Sequence, residues 1–330
     1  MYQVDQVLVP LDFSSFSRSA LAFARQLGRG RDDGTGKNPV RLQLAHAVEA
    51  MPSYVRSVLF PYAALGEDDR EFEAEIAEAA RHEMERYFEF DESLRGRFRA
   101  DPIIEFGSSS AMIRRWCGRF EQEMIVAGAF GENGVFAGGL GSTSGRLVAT
   151  ATQPVALIRD YDVVPTVDRI LAAVDLQHHS TRVVEVATAL AIELNAELQL
   201  VHVTRSPFRE DIRTMIKRHL DLELKALEAA IEPQLRGLFD DIVDTLQFPH
   251  SIRQRADELI GERTIRFGDP VEEIAEMAHQ GEFDLVVAGA NSHAAMGSGE
   301  MVSAVMARVP THMVVVPVEH ETTPLERWEG

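Results

Sequence analysis

The chain has 330 residues, a length that suits two domains of ordinary size better than one. Hydrophobic residues make up 45% of it and charged residues 26%, which is a globular rather than a disordered composition. The formal net charge of −19 disfavours nucleic acid and anionic lipid as general partners, because a polyanion repels phosphate groups.

No apolar run is long enough to span a membrane, so we expect no membrane insertion. The first nine residues are typical of a strand rather than of a signal peptide. Cys117 is the only cysteine, so no intrachain disulfide can form, which suits a reducing compartment. Together these features predict a cytoplasmic protein.

The sequence contains the same pattern twice. An apolar run of strand length that ends on an aspartate occurs at residues 7–12 and again at 170–175. Each run is followed by an amphipathic helical stretch and then by a second apolar run that contains a histidine, His46 or His202. Further helical stretches, a strand that ends in glycine and a last strand after a proline recur in the same order.

Each half therefore predicts the order β-α-β-α-β-α-β-α-β. Alternating strands and helices indicate a doubly wound, five-stranded parallel sheet with helices on both faces. The strand-like runs are continuously apolar, as expected where both faces of a sheet are buried. We predict a first domain at 1–160, a linker at 161–168, a second domain at 169–318 and a tail at 319–330.

A glycine-rich loop follows the fourth strand of the first half. It contains Gly128, Gly131 and Gly141, and a helix is predicted to begin just after Gly141, where three hydroxyl residues stand together (Ser142, Thr143 and Ser144). Free N–H groups at a helix N-terminus and nearby hydroxyls favour a polyphosphate. The pattern is neither a P-loop nor a Rossmann fingerprint. A flexible loop without a ligand remains an alternative at this point.

The spacing of Gly128, two residues, Gly131, nine residues, Gly141 and Ser142 resembles the ATP-binding branch of the universal stress protein family. The Val-Pro-Leu-Asp run at 9–12 and the Leu-x-His pattern near His46 extend the resemblance, which covers nearly the whole chain, twice. The resemblance implies an adenine-nucleotide α-hydrolase-like fold and an ATP-binding regulatory protein of the stress response.

The resemblance also implies roles by position. Those beside adenine and ribose would be Pro10, Leu11, Asp12 and Ala47, and those near ribose and the phosphates would be Ala127 and Gly128. The phosphates themselves, bridged by Mg²⁺, would be held by Gly131, Gly141, Ser142, Thr143 and Ser144. Family members often pair through their last strand, so the two halves are expected to pair with each other, and a homodimer is a further option.

The second half keeps only part of this pattern. Its counterparts are Asp175, Val203, Gly289, Gly297 and Ser298, with the last pair matched by counting back from Pro310. Gly128 and Gly141 are thirteen residues apart, whereas Gly289 and Gly297 are eight apart, and Ser292 replaces the middle glycine. We expect weak or no ATP binding in this degenerate second site.

We find no convincing catalytic constellation and no metal-ligand spacing, so at most slow ATP hydrolysis is expected. His46 and His202 are expected to be hydrogen-bonded structural residues, and the pair His178-His179 is weak as a metal site. An α-hydrolase enzyme would need a Ser-Gly-Gly-x-Asp-Ser-like loop after the first strand, which is absent. The remaining alternative is an interaction scaffold that binds no nucleotide.

Overall fold

The computed structural model describes residues 2–27, 40–48, 69–89, 102–119, 123–130, 140–159, 166–176, 180–204, 221–246, 250–290, 300–308 and 311–317. The chain divides into two compact units. One consists of Gln3–Val167 and Glu193–Asn195, and the other of Met1–Tyr2, Asp168–Ile192 and Ala196–Gly330. The predicted linker is described at 166–168 only, and the predicted tail at 319–330 lies outside the described residues.

The first unit alternates strands and helices along the chain. Its described elements are β1 (Gln6–Leu11), α1 (Ser15–Gln26), β2 (Arg41–Val48), α2 (Asp69–Glu89), β3 (Ile103–Phe106), α3 (Ser109–Arg119), β4 (Met124–Gly128), α4 (Ser142–Thr150) and β5 (Val155–Ile158). This is the predicted order.

Among the described residues, the second unit repeats the alternation and has one more helix before its third strand than the first unit has. Its described elements are β6 (Arg169–Ala173), α5 (Ser180–Leu194), β7 (Glu197–Thr204), α6 (Asp221–Thr245), α7 (His250–Leu259), β8 (Ile260–Phe267), α8 (Pro270–Gln280), β9 (Leu285–Ala290), α9 (Glu300–Arg308) and β10 (His312–Pro317). Among the described residues, no helix combines the length and the apolar character that crossing a bilayer requires.

The strand order is the same in both units. It is β3-β2-β1-β4-β5 in the first and β8-β7-β6-β9-β10 in the second, and neighbouring strands within each unit run parallel. The chain first steps to one side of the central strand and then returns to its other side. Right-handed crossovers in the two directions place helices on opposite faces of the sheet. The predicted doubly wound α/β fold is confirmed.

The central strands form the core of each unit. Val7, Leu8 and Val9 have no exposed surface, and neither do Ile170 and Leu171 in the corresponding strand of the second unit. Consecutive residues of a strand point to opposite faces, so both faces of each sheet are covered. This explains why the strands are continuously apolar in the sequence.

One partly buried carboxylate joins the amino-terminal ends of two strands in each unit. In the first unit, the backbone N–H of Gln6 donates to Oε2 of Glu123 at 2.6 Å. In the second, Oδ2 of Asp284 accepts from the backbone N–H groups of Asp168 and Arg169, both at 2.9 Å. Burial raises the pKa of the Glu123 carboxyl, and Asp5 adds to this, whereas the Gln6 hydrogen bond opposes it.

The pKa of Glu123 predicts a pH dependence of stability. Because the folded state holds this proton more tightly than the unfolded state, the stabilisation is complete below the ordinary pKa of 4.5 and is lost as pH rises through the folded-state pKa. Glu123→Gln keeps an oxygen for the Gln6 N–H but removes the titration. Urea unfolding from about pH 4 to about pH 7 should show the wild type losing stability relative to the variant. A difference that stays constant with pH would contradict the assignment.

Candidate functional site

The carboxyl ends of β1, β2 and β4 lie side by side at one edge of the first sheet. Leu11 lies opposite His46, and Leu8 lies opposite Ile125. The strand order reverses here, and α/β sheets bind ligands at such a switch point. The predicted site residues that these strands bring to the edge are Pro10, Leu11, Asp12, Ala47, Ala127 and Gly128.

Asp12 shapes the loop between β1 and α1. Its Oδ1 accepts from the backbone N–H of Ser14 at 3.0 Å and from the Ser14 hydroxyl at 2.5 Å. Phe13 adopts a φ of 63°, a left-handed conformation that is strained for a bulky residue. These hydrogen bonds order the loop. Because Asp12 is also exposed, its carboxylate is accessible at the edge of the sheet.

The second copy repeats the left-handed residue after the strand-end aspartate. Leu176 adopts a φ of 61°, and Asp175 accepts a hydrogen bond from the hydroxyl of Ser180. A left-handed residue after the aspartate is therefore a shared feature of the two copies.

His46 and His202 occupy matching positions. Nδ1 of each ring lies 2.7 Å from a backbone carbonyl oxygen, that of Leu11 in the first copy and that of Val174 in the second. A carbonyl oxygen only accepts, so Nδ1 carries the proton in both rings. Burial lowers the pKa of His202. Both histidines make the structural hydrogen bond expected from the sequence.

The described residues were also searched for side chains that could bind a metal ion together. Within the described ranges, no three His, Cys, Asp or Glu side chains form a cluster suited to a metal ion. His178 and His179 lie outside those ranges.

The helix after β4 begins without a side-chain cap. Gly141 is its N-cap residue and makes no side-chain hydrogen bond, whereas Ser14 caps α1 and Asp269 caps α8. The first N–H groups of a helix have no partner within the helix, so those of α4 are free of a capping side chain and suited to an anion. The Ser144 hydroxyl donates to the Gly128 carbonyl at 2.7 Å, which holds this turn against the end of β4.

A residue outside the predicted set also lies at this turn. The Ser109 hydroxyl, at the start of α3, is 3.3 Å from the Thr143 hydroxyl. Two helix N-termini with their hydroxyls therefore meet at the carboxyl edge of the sheet. The sequence signal for Ser109 is its place directly after Gly107-Ser108, where the second copy has Pro270 after Gly268-Asp269. Gly131, the middle glycine of the predicted motif, lies outside the described residues.

An aromatic pair and one arginine surround the start of the glycine loop. Phe130 packs edge-to-face on Phe16 with ring centroids 5.5 Å apart, and the guanidinium of Arg159 lies 5.6 Å from the Phe130 centroid. Burial lowers the pKa of Arg159, which nonetheless stays cationic as arginines do. A positive group thus stands beside β4 at the edge where the loop begins.

The strand register gives a second way to align the last helix of the two copies. Gly128 pairs with Ile158, and Gly289 pairs with Val316. Ser142 begins α4 sixteen residues before Ile158, and Glu300 begins α9 sixteen residues before Val316.

Counted from this register, Glu300 lies at the place of Ser142. Ser298, the counterpart predicted from Pro310, stays a prediction. Gly297 and Ser298 lie outside the described residues. The same register places Met301 and Val302 where the first copy has Thr143 and Ser144, so no hydroxyl stands at these three positions.

A family model described as "Universal stress protein family" matches the chain twice, at residues 3–159 and at 166–317. The chain belongs to the universal stress protein family, a family of the stress response, and carries two copies of its domain in tandem. No match was found among curated proteins.

Solved structures share the fold over nearly the whole chain. A universal stress protein from Archaeoglobus fulgidus DSM 4304 is 18% identical, with a TM-score of 0.59 and coverage of 96% of this chain and 97% of that chain. A functionally unknown protein from Pseudomonas aeruginosa PAO1 is 14% identical, with a TM-score of 0.55 and coverage of 95% and 92%. At these identities the likeness concerns the fold alone.

Gly128 has no side chain, which allows α1 to approach the end of β4. A side chain at this position is therefore expected to destabilise the protein. A Cβ on Gly128 would lie 2.8 Å from Cβ of Phe16 and 3.1 Å from its carbonyl carbon. We expect Gly128→Ala to destabilise the protein by about 1–3 kcal/mol, because helix backbone would have to move. Urea unfolding measures the change.

Gly145→Ala is the matched control for this measurement. Its Cβ would meet nothing closer than Cβ of Leu140 at 3.8 Å. Alanine in a helix is favoured over glycine by up to about 1 kcal/mol, so this variant should be neutral or more stable. Equal destabilisation by the two substitutions would contradict the close packing of α1 on Gly128.

Proposed function

We propose that the first copy binds ATP, with Mg²⁺, at the carboxyl edge of its sheet and that nucleotide occupancy regulates the protein. The observation that carries the proposal is the first turn of α4. It has no side-chain cap, it is held against the end of β4, and it completes the glycine spacing that begins at Gly128.

The phosphates would lie at this first turn. Backbone N–H groups and hydroxyls at Gly141, Ser142, Thr143 and Ser144 would donate to phosphate oxygens, with Gly131 allowing the loop to approach. Mg²⁺ would supply charge neutralisation between the phosphates. Backbone donors suit a protein of net charge −19, because the positive potential needed here is local and comes from the helix end.

The nucleoside would lie across the ends of β1 and β2. Asp12 already orders its own loop through Oδ1, and a ribose hydroxyl is a suitable donor to a carboxylate. Pro10, Leu11 and Ala47 would line the base, with Ala127 and Gly128 between ribose and phosphates. No residue is proposed to be catalytic.

The second copy would not hold a triphosphate. It retains the loop aspartate Asp175, Val203 at the end of β7 and Gly289 in β9, but Glu300 replaces Ser142. A carboxylate in the first turn of a helix favours the positive end of the helix dipole and repels phosphate. We propose that the second copy serves as an interaction surface, which keeps the scaffold alternative for this half of the chain.

Ser142→Glu tests the proposal by placing the residue of the second copy in the first. Glutamate is acceptable at the start of a helix, so the fold should be retained. A negative charge near the phosphates should weaken ATP binding on the order of 100-fold or more. Isothermal titration calorimetry with Mg-ATP measures the affinity, and urea unfolding checks the fold.

Glu300→Gln is the matched control, because it changes the charge at the corresponding position of the second copy. The ATP affinity of the first copy should equal that of the wild type. The proposal would be overturned if Ser142→Glu bound Mg-ATP as tightly as the wild type, or if the wild type bound none.

A further inference from the structure

The two copies differ in the hydrogen bonding of one histidine. In the second copy both ring nitrogens of His202 have partners, because Nδ1 donates to Val174 and Nε2 lies 2.9 Å from the hydroxyl oxygen of Thr204. With the proton on Nδ1, Nε2 of the neutral ring is an acceptor, so the Thr204 hydroxyl donates to it. His202 is buried, with 7% of its surface exposed.

In the first copy the same ring lacks this hydroxyl. Val48 pairs with Phe106 in the register in which Thr204 pairs with Phe267, so valine occupies the place of the threonine. In the part of the chain that the structure describes, no group forms a hydrogen bond with Nε2 of His46. The ring is also partly exposed rather than buried.

The position of the His46 ring is fixed without Nε2. Nδ1 donates to the Leu11 carbonyl oxygen at 2.7 Å, and the Phe13 ring lies 4.4 Å from the imidazole, centroid to centroid. The strand end that carries it adjoins the end of β1 and the Asp12 loop. An oriented acceptor therefore stands at the carboxyl edge of the first sheet, beside Ala47.

We propose that Nε2 of His46 accepts a hydrogen bond from the nucleoside of the bound nucleotide. This hydrogen bond makes the first site selective for nucleotides that carry the donor group. The donor is the exocyclic amine of adenine or a ribose hydroxyl. The N–H or O–H of either group can donate a hydrogen bond to an imidazole nitrogen. This inference rests on the proposed ATP site. A ligand without that donor leaves the acceptor unpaired in the complex, which lowers its affinity.

Two substitutions remove the acceptor in different ways. His46→Asn keeps an N–H donor near the position of Nδ1 for the Leu11 carbonyl but has no counterpart of Nε2. Val48→Thr supplies the internal hydroxyl that the second copy has, at nearly unchanged volume. His202→Asn is the matched control, because it makes the same change in the second copy.

Calorimetric titration of the full chain with Mg²⁺ complexes of ATP, inosine triphosphate, 2′-deoxyATP and 3′-deoxyATP identifies the donor. We expect His46→Asn and Val48→Thr to weaken ATP binding about five- to tenfold, with His202→Asn unchanged. One analogue should bind the wild type more weakly than ATP does, by a factor similar to the loss of ATP affinity in His46→Asn. The affinity of this analogue should not fall further in His46→Asn. That analogue names the donor group.

Two results would overturn the inference while leaving the proposed function intact. One is an unchanged ATP affinity in both variants. The other is an equal loss for ATP and all three analogues, which would assign His46 a structural role only. If the wild type bound none of the four nucleotides, the proposed function would fail, and this inference with it.

Discussion

The pairing of β4 with β1 is the constraint on which the candidate site depends. Because β2 and β3 continue from one side of β1 and β4 returns to its other side, the loops after β1 and β4 leave the sheet next to each other. Gly128 ends β4 without a side chain, so Phe16 of α1 packs directly against its backbone. The Ser144 hydroxyl then joins the first turn of α4 to the same residue. The positions of Asp12 and of the helix end follow from this one strand pair.

The fold could be predicted from the sequence because its determinants are local and occur twice. Continuous apolar runs separated by helical periodicity indicate buried parallel strands, and the repeat fixes their number in each half. The glycine spacing after β4 located the candidate site in the same way. The parallel strands of each unit agree with the predicted fold.

The remaining features depend on packing and register, which no short motif encodes. Pro154 lies four residues before Ile158, the partner of Gly128, whereas Pro310 lies six residues before Val316, the partner of Gly289. Phe13 and Leu176 adopt left-handed conformations without the glycine that usually signals one. Ser109 approaches Thr143 because two helices that are separated by β4 in the chain converge at their N-termini.

The two copies show how one fold supports different binding properties. Their strand order, the left-handed residue after each aspartate and their histidine positions agree, whereas several described residues at the carboxyl edge differ. In the first copy the last helix begins without a side-chain cap and with hydroxyl residues, whereas in the second it begins at Glu300. Val48 of the first copy corresponds to Thr204 of the second. These changes alter charge and hydrogen-bond capacity without altering the sheet.

The most direct test of this account is the number of ATP molecules that one wild-type chain binds. Equilibrium dialysis of the full chain against saturating Mg-ATP should give one ATP per chain, held by the first copy. Two per chain would show that Glu300 does not prevent phosphate binding in the second copy. None would contradict the assignment of the first turn of α4 to a nucleotide.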